Sequence, residues 1–89
     1  MSWFAYVLEC SDGSHYVGIT TDLHSRVAAH NAGEGAAWTR MRRPATHRFA
    51  QPLPDKSSAR RREIEIKGWR RQKKEALFRS STNVVSPSA

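Results

Sequence analysis

The first twenty residues show a pattern of apolar and polar positions that predicts a β-hairpin. In the apolar run of residues 3–8, a strand would place three side chains on one face: Phe4, Tyr6 and Leu8. A second run, residues 16–19, follows a turn at Asp12-Gly13. Aromatic and β-branched residues on both sides of an Asp-Gly turn are a strong short-range signal for a hairpin.

The length of the hairpin loop decides whether the two tyrosines lie on one face. With a two-residue turn, Tyr6 and Tyr16 lie on opposite faces of the sheet. With a three-residue loop and Gly13 at a positive φ, Tyr6 faces Gly18 and Tyr16 faces Leu8, so both tyrosines share a face. A site that uses both hydroxyls needs the second arrangement. Two ordinary strand tyrosines without a shared role are the alternative, because tyrosine is common in strands.

A helix is predicted after the hairpin, over residues 23–31, with Thr21 or Asp22 as its N-cap. Arg26 and His30 lie one turn apart on this helix, at the edge of its apolar stripe. Taken alone, Arg26 would be interpreted as a surface arginine, and His30 as a buried or capping histidine. As a pair they are candidate site residues, because both project where the helix should meet the sheet.

The second half of the chain predicts one more strand and more helix. Residues 46–50 form a strand between prolines, and a long helix covers at least residues 58–69, with a break at Gly68 and a last short helical segment after it. The expected fold is α+β, a small three-stranded antiparallel sheet flanked by helices in the order ββαβα(α). One domain spans residues 1–79, and the Ser-rich residues 80–89 are predicted to be a disordered tail.

The long helix carries a carboxylate on its inward stripe. Ala59, Glu63 and Ile66 follow one another at spacings of four and three residues. A glutamate on such a stripe raises the free energy of the fold unless it is paired or binds a cation. A salt bridge to Arg26 or to a nearby arginine is therefore an alternative to a metal. Ile64 falls outside the stripe, and packing by the last helical segment would account for it.

Charge and composition point to a polyanionic partner. The 89-residue chain has a formal net charge of +7 and a sequence pI near 10.5, which suggests nucleic acid as the partner. A basic surface that serves only solubility is the alternative, and composition alone does not exclude it. The predicted nucleic-acid contacts are basic or aromatic side chains in two segments: Trp38, Arg40, Arg42, Arg43, Arg61 and Arg62. A single cysteine excludes an internal disulfide and a cysteine-rich zinc site. Without a signal peptide or an apolar run of membrane-spanning length, a cytoplasmic protein with no membrane partner is expected.

Several segments occur together in an order and spacing that resembles the GIY-YIG nuclease family, in particular its small single-domain predicted endonucleases: AYV, CSDGS, YVGIT, TDLHSRVAAHN, GEGAAWTRMRRP and SARRREIEIKGW. By this resemblance Tyr6 and Tyr16 match the motif tyrosines. Arg26 and His30 match the arginine of the first helix and the residue one turn later. Glu63 matches the glutamate that holds the metal.

The resemblance implies a Mg²⁺- or Mn²⁺-dependent endonuclease that cleaves phosphodiester bonds in DNA. The expected substrate is structured or damaged DNA, the expected process is DNA repair, and the protein is assumed to be a monomer. Two departures stand out. Trp38 occupies a position where small relatives tend to have tyrosine, and a polar residue late in the family's last helix, often asparagine, has no clear counterpart.

Two other functions fit parts of the same pattern. A nucleic-acid-binding module with little or no cleavage would use the same basic segments and Trp38, but would have no need of Glu63. A basic interaction domain on a ribosome or another protein would leave the candidate site residues scattered in space.

Overall fold

The computed structural model describes residues 2–34 and 42–85. Within these ranges the elements follow in the order β1 (Trp3–Glu9), β2 (His15–Thr20), α1 (Leu23–Asn31), β3 (Thr46–Leu53), α2 (Lys56–Lys67) and α3 (Arg71–Leu77). The strands form one antiparallel sheet in the order β2-β1-β3. The predicted α+β fold and its element order are confirmed.

The hairpin has the register that places both tyrosines on one face. Tyr6 pairs with Gly18 and Leu8 pairs with Tyr16 across β1 and β2. Gly13 adopts a φ of 84°, in the left-handed region that glycine enters without strain. The loop is therefore the three-residue alternative, and the two phenol rings stand on the same side of the sheet.

The sheet is the middle layer of the molecule. On the tyrosine face, α1 packs Leu23 and Val27 against a buried cluster that includes Leu8 and Ala50. The opposite face is covered by α2 and α3, whose buried side chains meet those of the strands: Val7, Val17, Phe49, Ile66 and Leu77. The candidate site residues of α1 and α2 thus approach the sheet from opposite faces.

Aspartates begin two of the helices. Asp22 caps α1 and Asp55 caps α2, each accepting a hydrogen bond from a backbone N–H of the first turn, at 3.1 and 2.7 Å. The predicted break at Gly68 is confirmed, since α2 ends at Lys67. The predicted extension of this helix to Trp69 is wrong, because the flexible glycine ends the helix and Trp69 turns to pack against the buried cluster beneath α2.

Strand β3 is longer than its predicted span of residues 46–50. It continues through Pro52, which lies opposite Phe4 of β1. Proline removes a backbone donor and is tolerated where a strand forms the edge of a sheet. Since β3 is an edge strand, Pro52 does not end it.

Part of the Ser-rich tail contacts the free edge of β3. Asn83 accepts a hydrogen bond from Ala50 N at 3.1 Å and donates one to Arg48 O at 3.0 Å, while Val84 N donates to Ala50 O at 2.9 Å. These contacts differ from the disorder predicted for residues 80–85, because the outward-facing polar groups of an edge strand need partners. The rest of the tail lies outside the described residues.

Ile64 is exposed, so the expected packing of this side chain by the last helical segment is wrong. The turn after Gly68 carries α3 onto the sheet, where Leu77 joins the buried cluster instead. None of the helices in residues 2–34 and 42–85 has the length and hydropathy needed to cross a bilayer.

Candidate active site

Three aromatic rings meet between the hairpin and α1. Tyr6 Oη lies 3.3 Å from His30 Nε2, within hydrogen-bond distance. The ring centroids of Tyr16 and His30 are 5.0 Å apart, and those of Tyr6 and Tyr16 are 6.3 Å apart. Tyr6 and His30 are almost fully buried, whereas Tyr16 is partly exposed. Three of the predicted site residues therefore form one cluster with an open side at Tyr16.

Gly18 makes room for the ring of Tyr6. A Cβ placed on Gly18 would lie 2.5 Å from Tyr6 Oη and 2.7 Å from Tyr6 Cζ, closer than atoms can approach. Gly18 was not among the predicted site residues. Its place opposite Tyr6 in the strand register is the signal that could have marked it as a residue that shapes the site.

Burial and charge together keep His30 neutral. Desolvation lowers the pKa of the His30 imidazole below its ordinary value of 6.5, and the guanidinium of Arg26, one turn earlier on α1, lowers that pKa further. A neutral imidazole has one ring nitrogen that can accept a proton.

The hydroxyl of Tyr6 is a weak acid in this environment. Burial raises the pKa of Tyr6 far above its ordinary value of 10.0, Tyr16 and Glu63 add to that rise, and Arg26 opposes it. Tyr6 is therefore a neutral phenol at physiological pH. The charges of Arg26 and Glu63 both act on this hydroxyl, so the tyrosine cluster, α1 and α2 share one electrostatic environment.

Glu63 is a buried carboxylate with two cationic partners on its own helix. Its Oε1 lies 2.6 Å from Arg60 Nη1 and its Oε2 lies 3.0 Å from Lys67 Nζ. Only 5% of Glu63 is exposed, while the side chains of Arg60 and Lys67 are 60% and 51% exposed. The alternative of a salt bridge to a nearby arginine is thus realised through Arg60, and two long, exposed side chains hold the carboxylate from the solvent side.

The carboxylate of Glu63 fits a loosely held divalent cation but not a closed metal cage. Over residues 2–34 and 42–85, no three side chains of His, Cys, Asp or Glu cluster as a metal-binding set. Glu63 offers the hard oxygen donor that Mg²⁺ prefers, and Mg²⁺ commonly keeps several waters and takes only one or two protein carboxylates. The fit requires Arg60 and Lys67 to swing away from Glu63, which their exposure permits.

Two of the predicted nucleic-acid contacts bond to other parts of the chain, Arg42 to the hairpin loop and Arg43 to the end of α1. Arg42 Nε lies 3.1 Å from Asp12 Oδ2, and Arg43 Nη1 donates to Asn31 O at 3.3 Å. Both guanidiniums remain at the surface. Two further predicted contacts lie outside the described residues: Trp38 and Arg40.

The other two predicted contacts, Arg61 and Arg62, lie on different flanks of α2. Arg62 Nε donates to Gln51 Oε1 of β3 at 3.0 Å, and its guanidinium also pairs with Glu65. Arg61 is exposed. Within the described residues, its side chain donates one long hydrogen bond, of 3.4 Å, to Ser58 Oγ. Arg62 therefore links α2 to the sheet, and Arg61 is the more accessible cation.

Comparison with known proteins decides the family. A sequence model of the GIY-YIG catalytic domain matches residues 2–76. The chain belongs to the GIY-YIG family. GIY-YIG domains are those of a nuclease family, and Tyr6 and Tyr16 lie in the hairpin of the matched region.

Relatives of similar length match most of this chain. A UPF0213 protein of Halobacterium salinarum is 56% identical over 73 residues, which cover 82% of this chain and 95% of that protein. A UPF0213 protein of Haloquadratum walsbyi is 44% identical over 84 residues and covers 94% of both chains. The resemblance drawn from the sequence is confirmed at the level of the family.

Solved structures show the same fold. The solution NMR structure of a UPF0213 protein from Bacillus halodurans has a TM-score of 0.57 at 41% identity, covering 92% of this chain and 87% of that one. A second solution NMR structure, of a protein from E. faecalis, has a TM-score of 0.61 at 34% identity, covering 89% and 84%.

Proposed function

We propose that this protein is a Mg²⁺- or Mn²⁺-dependent endonuclease that hydrolyses phosphodiester bonds in DNA, acting in the cytoplasm as a monomer. The observation that carries the proposal is the contact of Tyr6 with His30 in a cluster that also holds Tyr16. A hydroxyl in contact with a neutral imidazole is a route for a proton away from an attacking water.

Tyr6 acts as a relay in this proposal and His30 as the proton acceptor. Because the pKa of Tyr6 is raised, the phenol does not ionise on its own and cannot serve as a standing base. It can accept a proton from water while it donates its own to His30 Nε2, 3.3 Å away. The lowered pKa of His30 keeps the acceptor neutral until that moment.

Arg26 and Tyr16 bind and orient the phosphate. Arg26 is exposed on α1 and its positive charge reaches Tyr6, so a phosphate bound by its guanidinium would lie beside the relay. Tyr16 is partly exposed at the open side of the cluster, and its hydroxyl can donate to the same group. A fixed cation at this position stabilises the negative charge that develops on the phosphoryl oxygens.

Glu63 holds the divalent cation. Such a cation, when bound, polarises a phosphoryl oxygen and stabilises the leaving oxygen. Glu63 supplies the carboxylate, and Arg60 and Lys67 neutralise that carboxylate while no cation is bound to it. Displacing these two side chains also frees two positive charges for the DNA backbone.

A nucleic-acid-binding module without cleavage is the second candidate. The observation that favours it is the ion pairing of Glu63 with Arg60 and Lys67, which satisfies the carboxylate without any metal. Metal dependence separates the two functions, because binding through basic side chains needs no divalent cation.

The deciding experiment offers the purified protein branched, nicked, duplex and single-stranded DNA, and RNA, with Mn²⁺ or with chelator. Cleavage of DNA in Mn²⁺ that disappears in chelator supports the endonuclease. Binding that weakens with salt, with a log–log slope of about −0.9 for each duplex phosphate contacted, and no cleavage in Mn²⁺ or Mg²⁺, would establish the binding module instead.

A further inference from the structure

One flank of α2 faces away from β3. Arg62 bonds to Gln51 of β3, which fixes one flank of the helix on the β3 side. Successive residues of a helix are separated by about 100°. Since Glu63 points inward, Ile64 lies on the opposite flank from Arg62, toward the β2 edge of the sheet.

That flank, here called the outer flank, consists of Arg60, Arg61, Ile64 and Lys67. Arg60 and Lys67 approach the Glu63 carboxylate from it, and Arg61 is exposed beside them. Ile64 is 58% exposed in the midst of these three cations. The surface thus offers an apolar side chain framed by positive charge, next to the carboxylate assigned to the metal.

A nucleic acid with an unpaired base matches this combination. Phosphates suit the cations, but an isoleucine gains free energy only by removing apolar surface from water. In a continuous duplex the base faces are stacked and hidden. An unpaired base at a flap, fork or single strand exposes a face against which an apolar side chain can pack, as side chains that wedge beside bases do.

We propose that the outer flank of α2 binds the substrate beside the cleavage point, with Ile64 packed against an unpaired base. The cations of the flank contact the phosphates on either side, so the surface favours flapped, forked or single-stranded DNA over continuous duplex. This inference rests on the proposed function, since it assumes that nucleic acid occupies the tyrosine cluster.

Binding in chelator tests the proposal without requiring cleavage. The probes are a flap DNA with 2-aminopurine at the first unpaired position and a continuous duplex of the same length. Ile64→Ala is compared with Val84→Ala, which removes a similarly exposed apolar side chain (57%) at the β3 edge, the other edge of the sheet. Thermal melts of both variants confirm that they fold.

We expect Ile64→Ala to weaken flap binding about 3- to 10-fold and duplex binding less than about twofold, with loss of the 2-aminopurine signal that the wild type gives. Val84→Ala should match the wild type on both probes. Equal effects of Ile64→Ala and Val84→Ala, or equal weakening on flap and duplex, would overturn the inference while leaving the nuclease proposal standing. Wild-type protein that binds neither probe at low salt would overturn both.

Discussion

Tyr6 and Gly18 depend on each other at the scale of single residues. The phenol ring occupies the space in which any side chain at position 18 would begin. We predict that Gly18→Ala displaces the ring, destabilises the fold by about 1–3 kcal/mol through overpacking, and reduces DNA cleavage by at least about 100-fold. Thermal melts and cleavage assays on one preparation measure both effects.

Gly68→Ala is the matched control for this variant. A Cβ on Gly68 would meet only backbone oxygens at 3.6 and 3.9 Å, which is ordinary contact, and the residue already has helical backbone angles. This control should leave cleavage intact and leave stability unchanged or up to about 1 kcal/mol higher. Full activity in Gly18→Ala would mean that the position of the Tyr6 ring is unimportant for the chemistry.

Glu63→Gln tests the carboxylate. We predict that cleavage falls by orders of magnitude, because the amide cannot hold the divalent cation, while binding of DNA in chelator is kept. Stability should change by less than about 1 kcal/mol, since the partners Arg60 and Lys67 remain solvated at the surface after the charge is lost.

Two assays on the Glu63→Gln protein separate a metal ligand from a structural ion pair. A fall in stability of about 3–5 kcal/mol is the expected mark of a buried pair that has lost one partner. Such a fall, with cleavage unchanged, would refute the metal-ligand assignment of Glu63.

From the sequence it was possible to predict which faces the candidate side chains occupy, but not which ion pairs they form. The shared face of Tyr6 and Tyr16 followed from one of only two loop lengths, and the inward position of Glu63 followed from helical spacing. The partners of Glu63 could not be chosen from the sequence, because Arg26 and several arginines of the same helix were all within plausible reach. Rotamers and the rotation of α2 decide that choice.

At the scale of elements, the tail holds the free edge of β3. The side chain of Asn83 accepts a hydrogen bond from Ala50 N and donates to Arg48 O and Phe78 O, which joins the edge strand to the end of α3. We predict that Asn83→Ala destabilises the fold by about 1.5–4.5 kcal/mol, at about 0.5–1.5 kcal/mol for each of these three hydrogen bonds.

Thermal melting measures this loss. A domain of this size should melt about 4–8 °C lower for each kcal/mol. Ser81→Ala, at an exposed position two residues earlier, is the control and should melt like the wild type. An unchanged melting temperature in Asn83→Ala would show that the tail does not stabilise the sheet.

The features of helices that the sequence predicted correctly are those that depend on residues close together in the chain. The cap of α1, which is Asp22 rather than its alternative Thr21, and the break at Gly68 each depend on a few neighbouring residues, and the structure has both. The passage of β3 through Pro52 and the contact of the tail with that strand depend on β3 being an edge strand. Strand order is a property of the whole sheet, and the sequence pattern did not reveal it.

For the whole molecule, three partly or fully buried histidines connect stability to pH. Desolvation lowers the pKa of His15, His30 and His47 below the ordinary value of 6.5, and neighbouring Arg71 and Arg26 add to the effect at His15 and His30. The unfolded chain therefore binds protons at a higher pH than the folded protein does. We predict that stability is constant well above pH 6.5 and falls as the pH decreases through the range between the unfolded and folded pKa values.

Thermal melts between about pH 8 and pH 5 test this dependence, in a range that leaves the carboxylates largely ionised. Cleavage should lose activity on the acid side with a midpoint below 6.5, since His30 must be neutral to accept a proton. Melting temperatures that rise on acidification would contradict the burial of neutral imidazoles.

The central position of β1 makes the two halves of the chain dependent on each other. Residues 2–34 contain the hairpin and α1, and so they carry Tyr6, Tyr16, Arg26 and His30, yet an isolated hairpin is at best marginally stable in water. Residues 42–85 supply the third strand and the helices that cover the second face, but only one of the five proposed catalytic groups. Neither half can hold the proposed active site alone, so a nascent chain would acquire the proposed nuclease activity only after α2 has been synthesised and has packed on the sheet.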